Sequence, residues 1–174
     1  MNAVAILMRT NSLGDVRLRD GTVVQVRPIE PKDAARLVRF HDALSPESVR
    51  LRFFTVHPHL SEGETVRFTT VDHHDREALV ALVDDDIIGV GRYERLQGTD
   101  EAEVAFVVGD SWQGRGVGST LLQGLAERAR TQGICRFVAQ TLAHNHPMLA
   151  VFAHSGFPMK RSTSGGVVDV SMTL

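Results

Sequence analysis

The chain has 174 residues, 43% of them hydrophobic and 23% charged, which suits one globular domain with a full core and requires no second one. A formal net charge of −2 excludes a general electrostatic pull towards nucleic acid or anionic membrane, and neither is expected as a partner. The single Cys135 cannot form an internal disulfide, which agrees with a cytoplasmic protein, and its place at the opening of a buried strand reads as core rather than nucleophile.

In chain order, Ala3 to Met8 is apolar but too short to span a membrane and lacks a preceding basic region. Residues 1–14 are therefore expected to be a tail and 15–174 the folded domain. Asp20-Gly21 turns the chain between Arg17–Arg19 and a strand over Thr22–Arg27, which Pro28 ends. Pro31 then opens a helix to about Ala43, with Ala34, Leu37, Val38 and His41 at helical spacing. Ser45-Pro46 is an N-cap with Pro in the first turn, and Ser61 with Glu64 has capping-box spacing, so two further short helices are expected to end near Phe54 and Thr70. Glu77–Asp84 and Ile87–Arg95 read as strands joined by an acidic turn, and Gly98-Thr99-Asp100 leads into a third strand.

That third strand opens the stretch around which the chain is organised. Val104 to Val108 is an uninterrupted apolar run, the pattern of a strand buried on both faces. A short loop follows, then a helix to Gln132 whose apolar face is Val117, Leu121, Leu125 and Ala129. No Ser, Thr, Asp or Asn stands where a side chain would cap this helix; Gly114, Gly116 and Gly118 occupy the turn. Such a turn leaves backbone N–H groups bare at the positive end of the helix dipole, which favours a phosphate ligand over a merely tight turn, with Arg115 able to add charge. A dinucleotide fingerprint would need glycine at Ser119, and a P-loop would need a Gly-Lys-Ser/Thr that is absent. Beyond Gly133, Cys135–Leu142 reads as a strand, Asn145 as the cap of a helix ending at Gly156, and Phe157–Arg161 and Val167–Thr173 as closing strands around a turn at 162–166. The order describes a mixed α/β or α+β sheet.

Gln113-Gly114-Arg115-Gly116-Val117-Gly118 resembles the Gln/Arg-x-x-Gly-x-Gly/Ala motif of the GNAT superfamily of acyl-CoA-dependent N-acyltransferases, and the element order is similar to that fold over about residues 22–174. Asn145 followed by Gly156-Phe157 resembles the family's second cofactor region. Leu18 to Phe54, including Leu44 to Phe54, together with Glu103 to Val108, resembles the catalytic domain of bacterial protein lysine acetyltransferases of the Pat type, which modify acyl-CoA synthetases. The resemblance implies a mostly antiparallel sheet flanked by helices, acetyl-CoA as cosubstrate, and a pyrophosphate held by the loop from Gln113 to Ser119. It also implies CoA contacts from Asn145 and from the backbone of Phe106, Val107 and Val108, with the Val108 amide facing the thioester carbonyl.

Acyl transfer to an amine requires the neutral amine, whereas a free lysine has a pKa near about 10.4. Glu103 begins the central strand on the same face as Ala105 and Val107, and a carboxylate at the mouth of an apolar cleft can have its pKa raised enough to act as a base. The Pat resemblance assigns the matching Glu that role, directly or through water; otherwise Glu103 is a solvated strand-edge carboxylate. Arg50 and Arg52 either contact an acidic protein surface, as the early helices of the resembled fold wall the acceptor site, or form a solvated helix face. Many family members carry a Tyr that protonates the leaving thiolate; the corresponding position here is Phe152, which has no proton to give, and His154 nearby is a donor by residue type or a capping residue. His57-x-His59, His73-His74 and His144-x-His146 lack the ligand spacing of a zinc site, and no metal is expected. Three readings follow: a protein lysine acetyltransferase acting on an acyl-CoA synthetase, an acetyltransferase of a small amine, and a CoA-binding sensor without turnover.

Overall fold

The computed structural model describes residues 13–174. Residues 1–12 of the expected tail lie outside that range, whereas Leu13 packs on the core and Gly14 opens the first strand. β1 (Gly14–Arg17) and β2 (Val23–Pro28) form a hairpin around the Asp20-Gly21 turn. A single 3-10 turn, Pro31–Asp33, leads into α1 (Ala34–Asp42). α2 (Pro46–Phe53) and α3 (Glu62–Thr69) follow, each begun by the expected cap: Ser45 accepts from the Ser48 N–H, and Ser61 and Glu64 form the reciprocal capping box.

β3 (Arg76–Val83), β4 (Asp86–Arg95) and β5 (Glu101–Val108) make an antiparallel meander. α4 (Val117–Thr131) crosses over to β6 (Arg136–Leu142), which lies parallel to β5; α5 (His146–Ala153) then leads to β7 (Met159–Ser164) and β8 (Val167–Thr173). The eight strands lie in the order β1-β2-β3-β4-β5-β6-β8-β7, antiparallel everywhere except β5–β6. This is the expected mixed, mostly antiparallel sheet flanked by helices. β7 runs on to Ser164, so the turn before β8 is only Gly165-Gly166 rather than 162–166.

The sheet separates two apolar layers. On one face the α4 side chains Leu121, Leu122 and Leu125 are fully buried against Leu79, Phe106 and Phe137. α4 comes close because β4 carries Gly89 beneath it; a Cβ there would stand 2.9 Å from Val117 Cγ1. On the other face α1 and its neighbours cover Val80, Leu82 and Val90 with Leu37 and Phe40. Cys135 is exposed, contrary to the core position expected, because the buried place at this corner is taken by Ile134 and the strand starts only at Arg136. No helix among the described residues is long and apolar enough to cross a membrane.

Candidate active site

The site begins where the sheet comes apart. β5 is in register with β6 only from Glu101 to Glu103, opposite Arg136 to Val138; beyond Glu103 the two strands diverge. The gap is a cleft of about 510 Å³, running from the start of α4 along Val104–Val108 to Thr141, Asn145 and Val151. β5 is therefore not buried on both faces as its apolar run suggested: Val104 and Phe106 are buried, while Ala105, Val107 and Val108 are half-exposed.

The register of β5 assigns its backbone groups. Gly109 N–H donates to Ile88 O and Leu96 N–H donates to Glu101 O, so the odd-numbered residues of β5 spend their N–H and C=O on β4. The even-numbered Val104, Phe106 and Val108 turn theirs towards the cleft. Val108 O accepts from Gln113 Nε2 at 3.1 Å, leaving the Val108 and Phe106 N–H groups facing the gap. All three residues expected to meet a cofactor line the cleft, Phe106 and Val108 with their backbone turned towards it and Val107 with its backbone turned to β4.

The glycine turn has the geometry that an uncapped helix needs. Gly114 (φ +73°) and Gly116 (φ +96°) are both left-handed, a conformation that a side chain resists. The first helical bond runs from Thr120 N–H to Gly116 O at 3.0 Å, so the N–H groups of Val117, Gly118 and Ser119 have no helical acceptor, and all three residues line the cleft. Arg115 is already engaged: its Nε donates to Asp20 at 2.7 Å, and its guanidinium lies 4.3 Å from the Trp112 ring centroid. The Thr22 N–H, and after it Arg115, hold the Asp20 carboxyl down to about 2. Gln113 also donates to Ser48 Oγ at 3.0 Å, tying the loop to α2. Asn145 caps α5, its Oδ1 accepting from the Met148 N–H at 3.2 Å, and lies buried at the edge of the cleft.

Glu103 stands on the opposite face of the sheet from α4, exposed, with no hydrogen bond or ion pair among the described residues. Its cross-strand neighbour Glu94 is neutralised by Arg67 at 3.0 Å. Glu103 forms one wall of an open groove of about 520 Å³ whose other walls include Gln140, Lys160, Ser162 and Asp169. One strand thus serves two spaces, its backbone facing the cleft and Glu103 facing the groove.

Arg50 is exposed and turned to Glu47 (3.2 Å) and His144 (2.9 Å), whereas Arg52 lines the cleft, so the two expected acceptor contacts are not together. Phe152 is buried with its ring 6.2 Å edge-on from Phe106, while His154 lies at the cleft with Nδ1 2.8 Å from Ala150 O. No group of three His, Cys, Asp or Glu side chains among the described residues is arranged to hold a metal. Two residues escaped the sequence reading. Asp110 accepts from Ser45 N–H (2.9 Å), Ser45 Oγ (2.6 Å) and Ser48 Oγ (2.8 Å), fixing α2 to the loop below the cleft; burial raises its pKa, but these bonds outweigh it and leave the carboxyl low. Arg92 lies among the apolar residues of β4, and its signal was that very interruption.

The residues fit a CoA thioester, with free N–H groups at a helix start for the pyrophosphate and strand N–H groups turned to the gap for the arm. Residues 39–157 match the sequence profile of the acetyltransferase (GNAT) family. The GNAT domain of S. lividans PAT is 44% identical, with a TM-score of 0.87 over 92% of this chain and 96% of that one. Acetyltransferase Pat of Mycolicibacterium smegmatis is 31% identical over 88% of this chain but only 46% of its own length, so the chain spans about half of that relative. Acetyltransferase PA5475 of Pseudomonas aeruginosa is 28% identical over 83% of this chain and 80% of its own length. The chain belongs to the GNAT family of N-acetyltransferases, a membership that implies acetyl-CoA as the acyl donor.

Proposed function

We propose that this acetyltransferase modifies a lysine of a protein, an acyl-CoA synthetase, by direct transfer with Glu103 as general base. The observation that carries the reading is the placement of an exposed, unpaired carboxylate on the strand whose backbone lines the cleft, in a chain 44% identical to the S. lividans PAT domain. Acetyl-CoA supplies an activated acyl group. The N–H groups of Val117, Gly118 and Ser119 bind its pyrophosphate with the helix dipole behind them, and the Phe106 N–H holds the arm. Asn145 and the Gln113 to Gly116 turn shape the rest of the cofactor site. Glu103 takes the proton from the lysine ammonium, directly or through a water, and the freed amine attacks the carbonyl. The Val108 N–H stabilises the charge that develops on the carbonyl oxygen. Phe152 leaves the departing thiolate to the solvent or to His154. Arg50 and Arg52 meet the acceptor, and a cytoplasmic location goes with this reading.

The test is transfer from labelled acetyl-CoA to purified acetyl-CoA synthetase beside a panel of small amines, with Glu103→Gln as control. Label on one synthetase lysine, lost in the variant while CoA still binds, is the expected result. Label on a small amine alone would overturn the protein substrate, and equal rates for wild type and variant would remove Glu103 from the proton path.

A further inference from the structure

Arg52 on α2 and Arg92 on β4 are half-buried and line the same small cavity between the helices and the sheet, with Ala105 and Val107 as its floor. Neither meets a carboxylate among the described residues, and residues 1–12 contain no Asp or Glu. The Arg92 guanidinium lies 4.4 Å from the Phe68 ring centroid, with a single long contact of 3.4 Å to the Phe68 carbonyl; that of Arg52 lies 4.9 Å from the Phe53 centroid. Burial, and then the charges of Arg52, Arg76 and Arg67, push Arg92 down to about 9 against the weaker opposing pull of Glu94. Burial likewise lowers Arg52, against the opposing pull of Glu103. Arginine stays charged at neutral pH, so these depressions reflect two neighbouring cations whose desolvation is not offset. An anion between them would relieve both.

We propose that Arg52 and Arg92 form a carboxylate-binding site on the acceptor side of the sheet, which recognises an acidic side chain flanking the target lysine. The identity of the carboxylate's source rests on the protein lysine acetyltransferase reading; the site itself does not. Arg92 pairs with Ala105, two residues from Glu103 on the same face, a separation of roughly 7 Å along the strand. An acceptor that presents its ammonium to Glu103 thus reaches the two guanidiniums with a neighbouring side chain. Guanidiniums bind a carboxylate through planar forks, which give orientation as well as attraction, as a lone surface lysine does not.

Arg92→Met is the informative variant, because a packing role and a binding role predict opposite signs. Its melting temperature should rise, since an unpaired cation leaves a half-buried place, while the KM for acetyl-CoA synthetase increases roughly tenfold or more with kcat and the acetyl-CoA KM retained. Replacing each acidic residue near the acetylated lysine by its amide should find one change that costs wild type the same factor and Arg92→Met nothing further. A second arm needs no turnover: sodium glutarate should raise the wild-type melting temperature above sodium chloride at equal ionic strength, and do so less for Arg92→Met. No glutarate effect, or an unchanged acceptor KM, overturns the site. A glutarate effect without transfer to any protein overturns the protein-substrate reading and assigns the site to a small amine bearing a carboxylate.

Discussion

The buried carboxylates Asp33 and Glu77 and the half-buried arginines Arg52 and Arg92 show two ways in which this fold keeps charge away from water. Asp33 accepts two bonds of 2.7 Å from Arg27, one of 2.9 Å from the Glu30 N–H and one of 3.3 Å from Arg36. Glu77 is met by Arg128, by His73 at 2.8 Å and by the Ala78 N–H at 2.9 Å. Both lie away from the cleft and are saturated. Arg52, Arg92 and Glu103 have no ion-pair partner among the described residues, and they gather around one short segment of β5. A fold that pairs its buried carboxylates and leaves two half-buried arginines open gives up some stability to keep those two available.

The sharpest test of that contrast is to remove one charge of each kind. Glu103→Gln should lower kcat/KM by about 10²–10⁴-fold, some 3–5 kcal/mol of barrier, and leave the melting temperature where it was. Arg128→Met should do the reverse. It takes the guanidinium from the fully buried Glu77 carboxylate and leaves Oε2 without a partner, so chemical denaturation should report a loss of about 3 kcal/mol, while the protein that remains folded keeps its turnover.

A smaller effect is expected on the acid side of the stability profile. Burial raises the Asp33 pKa, but its bonds from Arg27 and Glu30 outweigh that and hold it below the ordinary carboxylate value near about 3.9. A folded pKa below the unfolded one contributes stability that is present above the unfolded value and is lost as pH falls through the folded one. Asp33→Asn should therefore flatten the acid limb below about pH 4 in pH-dependent denaturation, with a uniform loss above it. Smallest of all, Arg115→Gln should raise the acetyl-CoA KM only a few-fold with no change in melting. Its charge is already shared with Asp20, and a larger effect would mean that Arg115 leaves Asp20 for the cofactor.

Local chemistry made most elements legible. Ser45-Pro46, the Ser61 and Glu64 box, Asn145 and the left-handed Gly116 each appear where the capping and turn rules put them, because these features are decided within four or five residues. The separation of β5 from β6 was not legible as geometry. It depends on pairing between strands about 30 residues apart, and an apolar run such as Val104–Val108 looks the same whether its second neighbour is a strand or a cleft. Cys135 was misplaced for a similar reason, since its neighbour Ile134 took the buried corner. Of the candidate site, the glycine turn before α4 and the exposed Glu103 were visible. The site was invisible in Arg92 and Asp110, whose partners are brought from distant parts of the chain by the fold.

The divided strand also bears on kinetics. In the proposed reaction β5 gives its backbone to the donor on one side and Glu103 to the acceptor on the other, with no nucleophilic side chain between them to store an acyl group. Half-reactions then have nothing to leave behind. Initial-rate plots at several fixed concentrations of the second substrate should intersect rather than run parallel, and acetyl-CoA alone should deposit no label on the enzyme.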